Sequence, residues 1–295
     1  MNISKTITLG AKTTHPLTVN RLGYGTMRLT GDFIWGEPKN RPEALQILKY
    51  AVSNGVNFID TADYYGEDVT NRLIAESLYP YPGELVICTK VGTSRKPDKS
   101  WIVFNTPANL RSSIEANLRT LKIDQIQLVH LRVMPGSKTA FEDSLQAMFT
   151  MQEEGKILHV GLSNVSPDEL NVALTMGDIA SIENAFGYAQ RSSFTLHHQQ
   201  YRGMQEVLEI CIENEIPMIP FWSLQNSLPK TDARIATIAK KYNATPAQIN
   251  LAWLLHYNHL MLPIPGTSQL KHFKENLEAL NIHLTEDDMK YLALD

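Results

Sequence analysis

The chain has 295 residues, of which 43% are apolar and 20% charged, a composition typical of a folded globular protein. Its formal net charge of −4 argues against nucleic-acid binding, which needs a concentrated basic surface. The sequence has no apolar run of bilayer-spanning length and no secretory signal, so we expect a cytoplasmic protein without a membrane partner. Both cysteines, Cys88 and Cys211, lie in apolar segments and are expected to be free buried thiols.

In chain order, the first expected element is a β-hairpin from Lys5 to Val19, broken near Gly10. Eight short apolar segments follow and are predicted to be strands: Leu22 to Met27, Val56 to Asp60, Leu85 to Lys90, Ile126 to His130, Ile157 to Ser163, Ile179 to Asn184, Met218 to Phe221 and Met261 to Ile264. Amphipathic segments between them predict helices: Pro42 to Val52, Asn71 to Leu78, Pro107 to Thr120, Phe141 to Glu154, Pro167 to Met176, Tyr201 to Asn214, two pieces within Thr231 to His256, and Leu270 to Leu280.

This alternation of strands and helices predicts a parallel sheet, and about eight βα units predict an α/β fold, the (β/α)₈ TIM barrel. We expect the N-terminal β-hairpin to close the barrel floor. No linker rich in proline, glycine or serine divides the sequence, so residues 1–295 are predicted to form a single domain.

Polar side chains stand at the ends of several predicted strands, where the loops of a barrel build its mouth. Asp60, Lys90, His130 and the pair Ser163-Asn164 occupy these ends, and Tyr65 follows five residues after Asp60. Each alone has a structural explanation, as a turn cap, a solvated ammonium or a hydrogen-bonded core histidine. Four ionisable groups at matching strand ends favour a functional site.

These four side-chain types suit the reduction of a carbonyl group, which creates an alkoxide that needs a proton. A phenol such as Tyr65 donates a proton poorly near neutral pH, and the nearby ammonium of Lys90 is expected to lower its pKa. Asp60 would keep that ammonium charged and oriented. His130 would hydrogen-bond to the carbonyl oxygen and orient it.

Four segments resemble the aldo-keto reductase family, in the family's order along the chain. The segment Phe58 to Gly66 resembles its first signature, with Asp60 and Tyr65 at the catalytic positions, and Cys88 to Gly92 is similar to its lysine strand. The segment Gly155 to Asn164 resembles its second signature. Ile264 to Ser268, followed by Glu275-Asn276, is similar to its adenosine-end motif. The resemblance implies NADP(H)-dependent reduction of a small aldehyde or ketone.

The resemblance also implies a dinucleotide site across the barrel mouth, although no G-x-G-x-x-G motif follows a strand. Ser163 and Asn164 would hold the nicotinamide carboxamide, and the start of the last crossover helix would receive phosphate. The residues that we assign to the cofactor are Gly25, Thr26, Met27, Ser163, Asn164, Glu183, Phe221, Gly266, Thr267, Ser268, His272, Glu275 and Asn276.

Four positions depart from the commoner family pattern. Gly266 and His272 stand where many members place lysine and arginine against the 2′-phosphate; NADP(H) is preferred by resemblance, and NAD(H) stays open. Phe221 falls where an aromatic ring, usually tyrosine, stacks on nicotinamide. Glu183 replaces a glutamine and, as a carboxylate, is expected to favour the cationic oxidised cofactor.

Aromatic residues in the long loops are candidates for the substrate site. Phe33, Trp35 and Trp101 suit either a wall for a small organic carbonyl compound or packed loop anchors. Arg132 suits an anionic substrate, although a surface ion pair is the favoured interpretation. The segment Val129 to Val133 resembles a branch of the family that includes pyridoxal reductases.

Two alternatives to a carbonyl reductase remain at this stage. The first is a regulatory subunit that binds nicotinamide and turns over little, as some relatives with this fold do. The second is a metal-dependent hydrolase barrel, which we disfavour because His197-His198 and His256 with His259 lack a third ligand at an identifiable spacing. We therefore expect no metal, and a monomer or weak oligomer.

Overall fold

The computed structural model describes residues 4–196, 199–201, 204–224 and 232–293. The chain begins with an antiparallel hairpin of β1 (Thr6–Leu9) and β2 (Leu17–Asn20). Its apolar side chains share a buried cluster with residues from the strands of the barrel: Ile7, Leu9 and Val19 with Phe58, Val86, Cys88, Leu128, Ala180, Ile219, Leu262 and Ile264. The hairpin thus packs against the barrel strands, as the sequence predicted for a floor closure.

Six parallel strands follow one another around the barrel: β3 (Tyr24–Gly25), β4 (Phe58–Asp60), β5 (Val86–Arg95), β7 (Ile126–Arg132), β8 (Ile157–Ser163) and β9 (Ile182–Glu183). The seventh and eighth positions are single parallel bridges, Ile182 to Met218 and Met218 to Met261. The Gly23 amide donates to the Pro263 carbonyl at 2.9 Å and closes the ring. The predicted (β/α)₈ barrel is confirmed.

The last two strand positions are shorter than the sequence predicted because prolines interrupt them. Pro217 and Pro220 flank Met218-Ile219, and Pro263 and Pro265 flank Ile264. Proline has no N–H to donate to a neighbouring strand. The hydrophobic pattern therefore marks the correct segments, while the hydrogen bonding is reduced to a few contacts.

The helices surround the sheet: α1 (Arg41–Ser53), α2 (Val69–Leu78), α3 (Pro107–Leu121), α4 (Phe141–Glu153), α5 (Pro167–Met176), α6 (Met204–Glu213), α7 (Ala233–Lys241), α8 (Pro246–Tyr257), α9 (Leu270–Glu278) and α10 (Glu286–Tyr291). Three of them begin with proline after a threonine or serine whose side chain caps the helix; Ser166 and Thr245 form full capping boxes. Helix α10 was not predicted.

Two further hairpins lie outside the predicted elements. The outer end of β5 pairs antiparallel with β6 (Trp101–Phe104), and β10 (Phe194–Leu196) pairs with β11 (Gln199–Tyr201). Residues Thr26–Leu29, at the end of the first predicted strand, form a 3₁₀ helix instead. Cys88 and Cys211 are free and buried, as expected. Among the described residues, no helix has the length and apolar character needed to cross a membrane.

Candidate active site

The strand register brings the sequence-predicted polar residues together at one edge of the sheet. Lys90 lies opposite His130 in the pairing of β5 with β7, and Ser163 lies opposite Glu183 in the pairing of β8 with β9. Asp60 ends β4 beside these strands. All five side chains are buried. Their proximity follows from the parallel sheet, whose strands all end at the same edge.

Lys90 is the centre of this charged cluster. Its Nζ donates to Asp60 Oδ1 at 2.5 Å and to the Thr61 carbonyl at 3.1 Å. Glu183 Oε1 lies 3.3 Å from the same Nζ. Two buried carboxylates therefore face one buried ammonium, which is how a protein interior tolerates such a charge.

The protonation of the cluster follows from burial and charge. Burial and the nearby Glu183 carboxylate raise the pKa of Asp60 to about 8, although Lys90 opposes this rise. Burial pushes the pKa of Glu183 upward, but Lys90 and His130 outweigh burial and hold it below its ordinary value. Burial lowers the pKa of Lys90, yet the two carboxylates raise it far more. Lys90 stays charged, and Asp60 takes up a proton below about pH 8.

Tyr65 lies beside the ammonium, with Lys90 Nζ 5.2 Å from its ring centroid. Burial raises the pKa of this phenol; Lys90 lowers it, as the sequence predicted, but the net pKa stays above its ordinary value. The expected net lowering is not found, because desolvation of the phenolate exceeds the attraction of one ammonium that two carboxylates already neutralise. Tyr65 therefore holds its proton until a stronger base forms next to it.

His130 is fully buried, and both of its ring nitrogens contact protein groups. Nε2 lies 2.8 Å from Ser181 Oγ, while Nδ1 lies 3.0 Å from Glu183 Oε2 and 3.2 Å from Cys88 Sγ. Burial lowers the pKa of His130, so the ring is neutral near pH 7. Orienting a carbonyl oxygen would require Nε2 to exchange its contact with Ser181.

Glu183 has contacts in the cluster that the sequence did not predict. We expected it against a nicotinamide carboxamide, and the structure also places it against Lys90 and His130. Its Oε2 is buried, and its partner in the described part of the chain is His130 Nδ1, at 3.0 Å. Adjacent to it, Asn164 adopts φ 59° and donates its amide to the Glu183 carbonyl at 3.1 Å. Ser163, Asn164 and Glu183 thus form one polar group beside the charged cluster.

The first-strand candidates lie next to this group. Thr26 Oγ1 donates to the Asp60 carbonyl at 2.9 Å, and Met27 packs with the buried rings that include Tyr65. A Cβ on Gly25 would lie 2.7 Å from the Ile264 carbonyl oxygen, and one on Gly266 would lie 2.7 Å from that of Gly25. Close backbone approach therefore accounts for both glycines.

The adenosine-end candidates form a second group around the start of α9. Thr267 Oγ1 accepts from the Gln269 amide at 3.1 Å, and Glu43 Oε1 accepts from the Leu270 amide at 3.0 Å. These two helix-start amides therefore already have protein partners. The remaining candidates differ in exposure: Gly266, Ser268 and His272 are exposed, Glu275 is half-buried and Asn276 is buried.

The aromatic loop residues are held by an arginine that sequence reasoning missed. Arg95 lies over Trp101, with its Cζ 4.1 Å from the ring, and over Trp35 at 5.8 Å. Its N–H groups donate to three loop carbonyls, those of Phe33, Ile34 and Lys99. Trp35 and Trp101 are packed loop anchors, whereas Phe33 is 77% exposed. The sequence did not predict this arrangement, because the long loops carry no periodic pattern that specifies their conformation.

Phe221 and Arg132 lie together above Ser163. The Arg132 Cζ is 5.6 Å from the Phe221 ring centroid and 5.9 Å from that of Tyr201, and its Nη1 donates to Ser163 Oγ at 3.3 Å. Arg132 is half-buried. The favoured surface ion pair is not found among the described residues, where the ion pairs involve other side chains.

The same cluster contains the ligand types of a metal site. Ligand atoms of Asp60, Cys88, His130 and Glu183 lie within 4.8 Å of one another. Lys90 already brings positive charge to the two carboxylates, at 2.5 Å and 3.3 Å. The absence of a metal stays a prediction. His256, a residue of the other histidine group, accepts from the Leu284 amide through Nε2 at 3.1 Å, and His197-His198 lie outside the described residues.

Comparison with known proteins gives a consistent result. Residues 21–293 match the aldo/keto reductase family. The chain is 37% identical to pyridoxine 4-dehydrogenase of Escherichia coli over 98% of this chain and 97% of that protein. It superposes on a thermostable aldo-keto reductase, Tm1743, with a TM-score of 0.81 and 28% identity, covering 97% and 98% of the two chains. A Klebsiella pneumoniae aldo-keto reductase in complex with NADPH shares the fold, with a TM-score of 0.76, 21% identity and coverage of 99% and 94%.

Proposed function

This chain belongs to the aldo/keto reductase family, and on that premise we propose that it moves hydride between NADP(H) and a small aldehyde or ketone. One observation carries the proposal: a buried phenol, Tyr65, lies next to a buried ammonium, Lys90, that Asp60 holds in place. This is the arrangement that proton delivery to a developing alkoxide requires.

The polar group beside this cluster fits a nicotinamide. The buried Glu183 carboxylate contacts Lys90 and His130, and its remaining lone pairs would accept from a carboxamide NH₂. Ser163 and Asn164 lie next to it, and the half-buried Phe221 is the ring that we propose to stack on the nicotinamide. NADP(H) is preferred on family grounds. The Glu43 carboxylate, which accepts from the Leu270 amide at the start of α9, would repel a 2′-phosphate placed there, so NAD(H) is tested alongside. When bound, the reduced cofactor supplies the hydride.

The residues of this chain supply the proton and the local field. Tyr65 donates its hydroxyl proton to the carbonyl oxygen as negative charge develops there. Lys90 stabilises the resulting phenolate, and Asp60 keeps the ammonium in position. His130 orients the carbonyl by exchanging its contact with Ser181. Burial keeps water from competing for these hydrogen bonds.

The similarity to pyridoxine 4-dehydrogenase guides the choice of substrate. We propose that pyridoxal is among the carbonyl compounds reduced, with pyridoxine oxidation as the reverse reaction. The two buried free thiols agree with a reducing compartment, so we also propose a cytoplasmic enzyme that acts as a monomer or weak oligomer.

The test is a panel of carbonyl compounds, including pyridoxal, assayed with NADPH and NADH by nicotinamide absorbance. We expect many turnovers per enzyme, with faster rates for NADPH. The Tyr65→Phe variant serves as the background control. Tight NADPH binding without turnover on any compound would instead support a regulatory subunit, and absence of binding to either cofactor would overturn the proposal.

A further inference from the structure

Arg132 is a charged side chain that the proposed mechanism does not use. It ends β7, two residues beyond His130, and alternate residues of a strand project from the same face about 7 Å apart. His130 faces the charged cluster, so Arg132 lies on the same side, one step nearer the barrel mouth. Its contact with Ser163 agrees with this position.

The partners of Arg132 differ from those of the other enclosed arginines. Arg21 donates to the carbonyls of Met261, Leu255 and Asn258, and Arg95 also donates to three backbone carbonyls. Through these main-chain hydrogen bonds, Arg21 and Arg95 hold separate loops and strands in contact.

Arg132 meets hydroxyls and ring faces instead: Ser163 Oγ, the Tyr201 side chain and the Phe221 ring. Within the described ranges, no carboxylate lies at ion-pair distance from it. A guanidinium has five N–H donors in a planar fork that matches carboxylate geometry, and two hydroxyls do not neutralise its charge. The position favours a ligand with an anionic oxygen.

We infer that Arg132 selects carbonyl substrates that carry an anionic oxygen substituent, a carboxylate or an ionised hydroxyl, close to the reacting carbonyl. The inference rests on the proposed function and narrows its substrate class. The spacing from His130 places the anionic group within about 7 Å of the carbonyl, which suits a substituted aromatic aldehyde. By the family resemblance the cofactor phosphates are expected at the start of α9, whereas Arg132 contacts Ser163 and Phe221 beside the expected nicotinamide, so we assign its charge to the substrate.

The experiment compares 3-carboxybenzaldehyde with uncharged 3-methylbenzaldehyde, using NADPH and the full chain. Charge-assisted hydrogen bonds predict that Arg132→Met lowers kcat/KM for the carboxylate by about 10- to 100-fold. The methyl compound should change less than about threefold, and Arg132→Lys should retain part of the selectivity. A third arm, 3-hydroxybenzaldehyde assayed at two pH values that bracket its ionisation, distinguishes a preference for phenolate from one for carboxylate.

Lys99→Met is the matched control, because Lys99 is an exposed cation of the mouth loops whose Nζ lies 5.2 Å from the Phe33 ring centroid. It should leave the selectivity between the two aldehydes unchanged. Equal loss on both aldehydes, weaker NADPH binding in Arg132→Met, or unchanged selectivity would each overturn the inference.

The two proposals fail in distinguishable ways. Turnover of both aldehydes without Arg132-dependent charge selectivity would leave the reductase function standing and remove the inference. If neither aldehyde is turned over, equilibrium binding of 3-carboxybenzaldehyde to the NADP⁺ complex, followed by tryptophan fluorescence, still reports on the site. Weaker binding in Arg132→Met would then support the inference, and equal binding would contradict it.

Discussion

Glu183→Gln is the substitution that most directly tests the electrostatics of the site. Above about pH 8 both Asp60 and Glu183 are ionised against the single positive charge of Lys90, so the buried cluster carries one net negative charge. A cationic oxidised nicotinamide would neutralise it, whereas the neutral reduced form would not. The wild-type protein should therefore favour the oxidised cofactor, and removing one carboxylate should reduce that preference.

The size of the effect follows from Coulomb's law. Two unit charges about 5 Å apart attract by about 3 kcal/mol at an effective dielectric constant of about 20. Lys90, whose Nζ is 3.3 Å from Glu183, cancels part of this attraction. If Lys90 cancels about half of the attraction, ~1.4 kcal/mol remains, which corresponds to a tenfold change in the ratio of the dissociation constants for NADP⁺ and NADPH.

The effect should depend on pH with a defined sign. Below about pH 8 Asp60 holds a proton and the wild-type cluster is neutral, so the preference for the oxidised form should be weaker at pH 6.5 than at pH 9. In Glu183→Gln, Asp60 loses the second of the two causes that raise its pKa, burial being the first, and at pH 9 ionised Asp60 forms a neutral pair with Lys90.

The assay is titration of NADP⁺ and NADPH into the wild type, Glu183→Gln and the control Glu115→Gln. Glu115 forms a surface pair with Lys156 at 3.3 Å and should have no effect on the ratio. A ratio in Glu183→Gln that equals the wild-type ratio at pH 9 would refute the reasoning.

Three other predictions concern the same site. Tyr65→Phe should lower kcat by about 10²- to 10⁴-fold with little change in NADPH binding. The control Tyr64→Phe removes a buried hydroxyl that has no hydrogen bond in the described chain, and it should retain most activity. Equal losses of kcat in steady-state assays of the two variants would contradict this prediction. The raised pKa of Asp60 means that the folded state keeps a proton that the unfolded state releases between about pH 4 and 8, so stability falls as pH rises through that window. Asp60→Asn should remove this cost of ionising a buried carboxyl group and should abolish turnover. In urea unfolding at pH 9 the variant should be more stable than the wild type by about 1 kcal/mol, and a less stable variant would contradict the prediction. A Cβ at Gly161 would overlap the His130 ring, so Gly161→Ala should cost about 1–3 kcal/mol of stability and lower kcat. A variant with unchanged Tm and kcat would show that the ring is not held as described.

The sequence predicted the order of the barrel elements because each strand and helix carries its own local pattern. It also predicted that Asp60, Lys90 and His130 lie together near one edge of the parallel sheet; Asp60 ends its strand as predicted, whereas β5 continues past Lys90 to Arg95 and β7 past His130 to Arg132. The contact between Lys90 and Glu183 was not predicted, because it depends on side chains from strands that are not neighbours in the sheet.

The interpretation of Arg132 as half of a surface ion pair is not supported, although the sequence held a signal against it. Arg132 and His130 have the same parity in one strand and so project from the same face. The role of Arg95 carried no such signal, because its three carbonyl partners lie in two long loops whose conformations no periodic pattern specifies.

The prolines of the seventh and eighth strand positions have a consequence for how the barrel opens. Prolines have no N–H to donate, so the joins made by the seventh and eighth strand positions have fewer main-chain hydrogen bonds than the pairing of β7 with β8. Cohesion there depends on buried side chains such as Met218, Met261 and Ile219. Local opening should therefore begin at this seam, and deuterium should enter the amides of Ile219 and Leu262 sooner than those of Val129 and Val160.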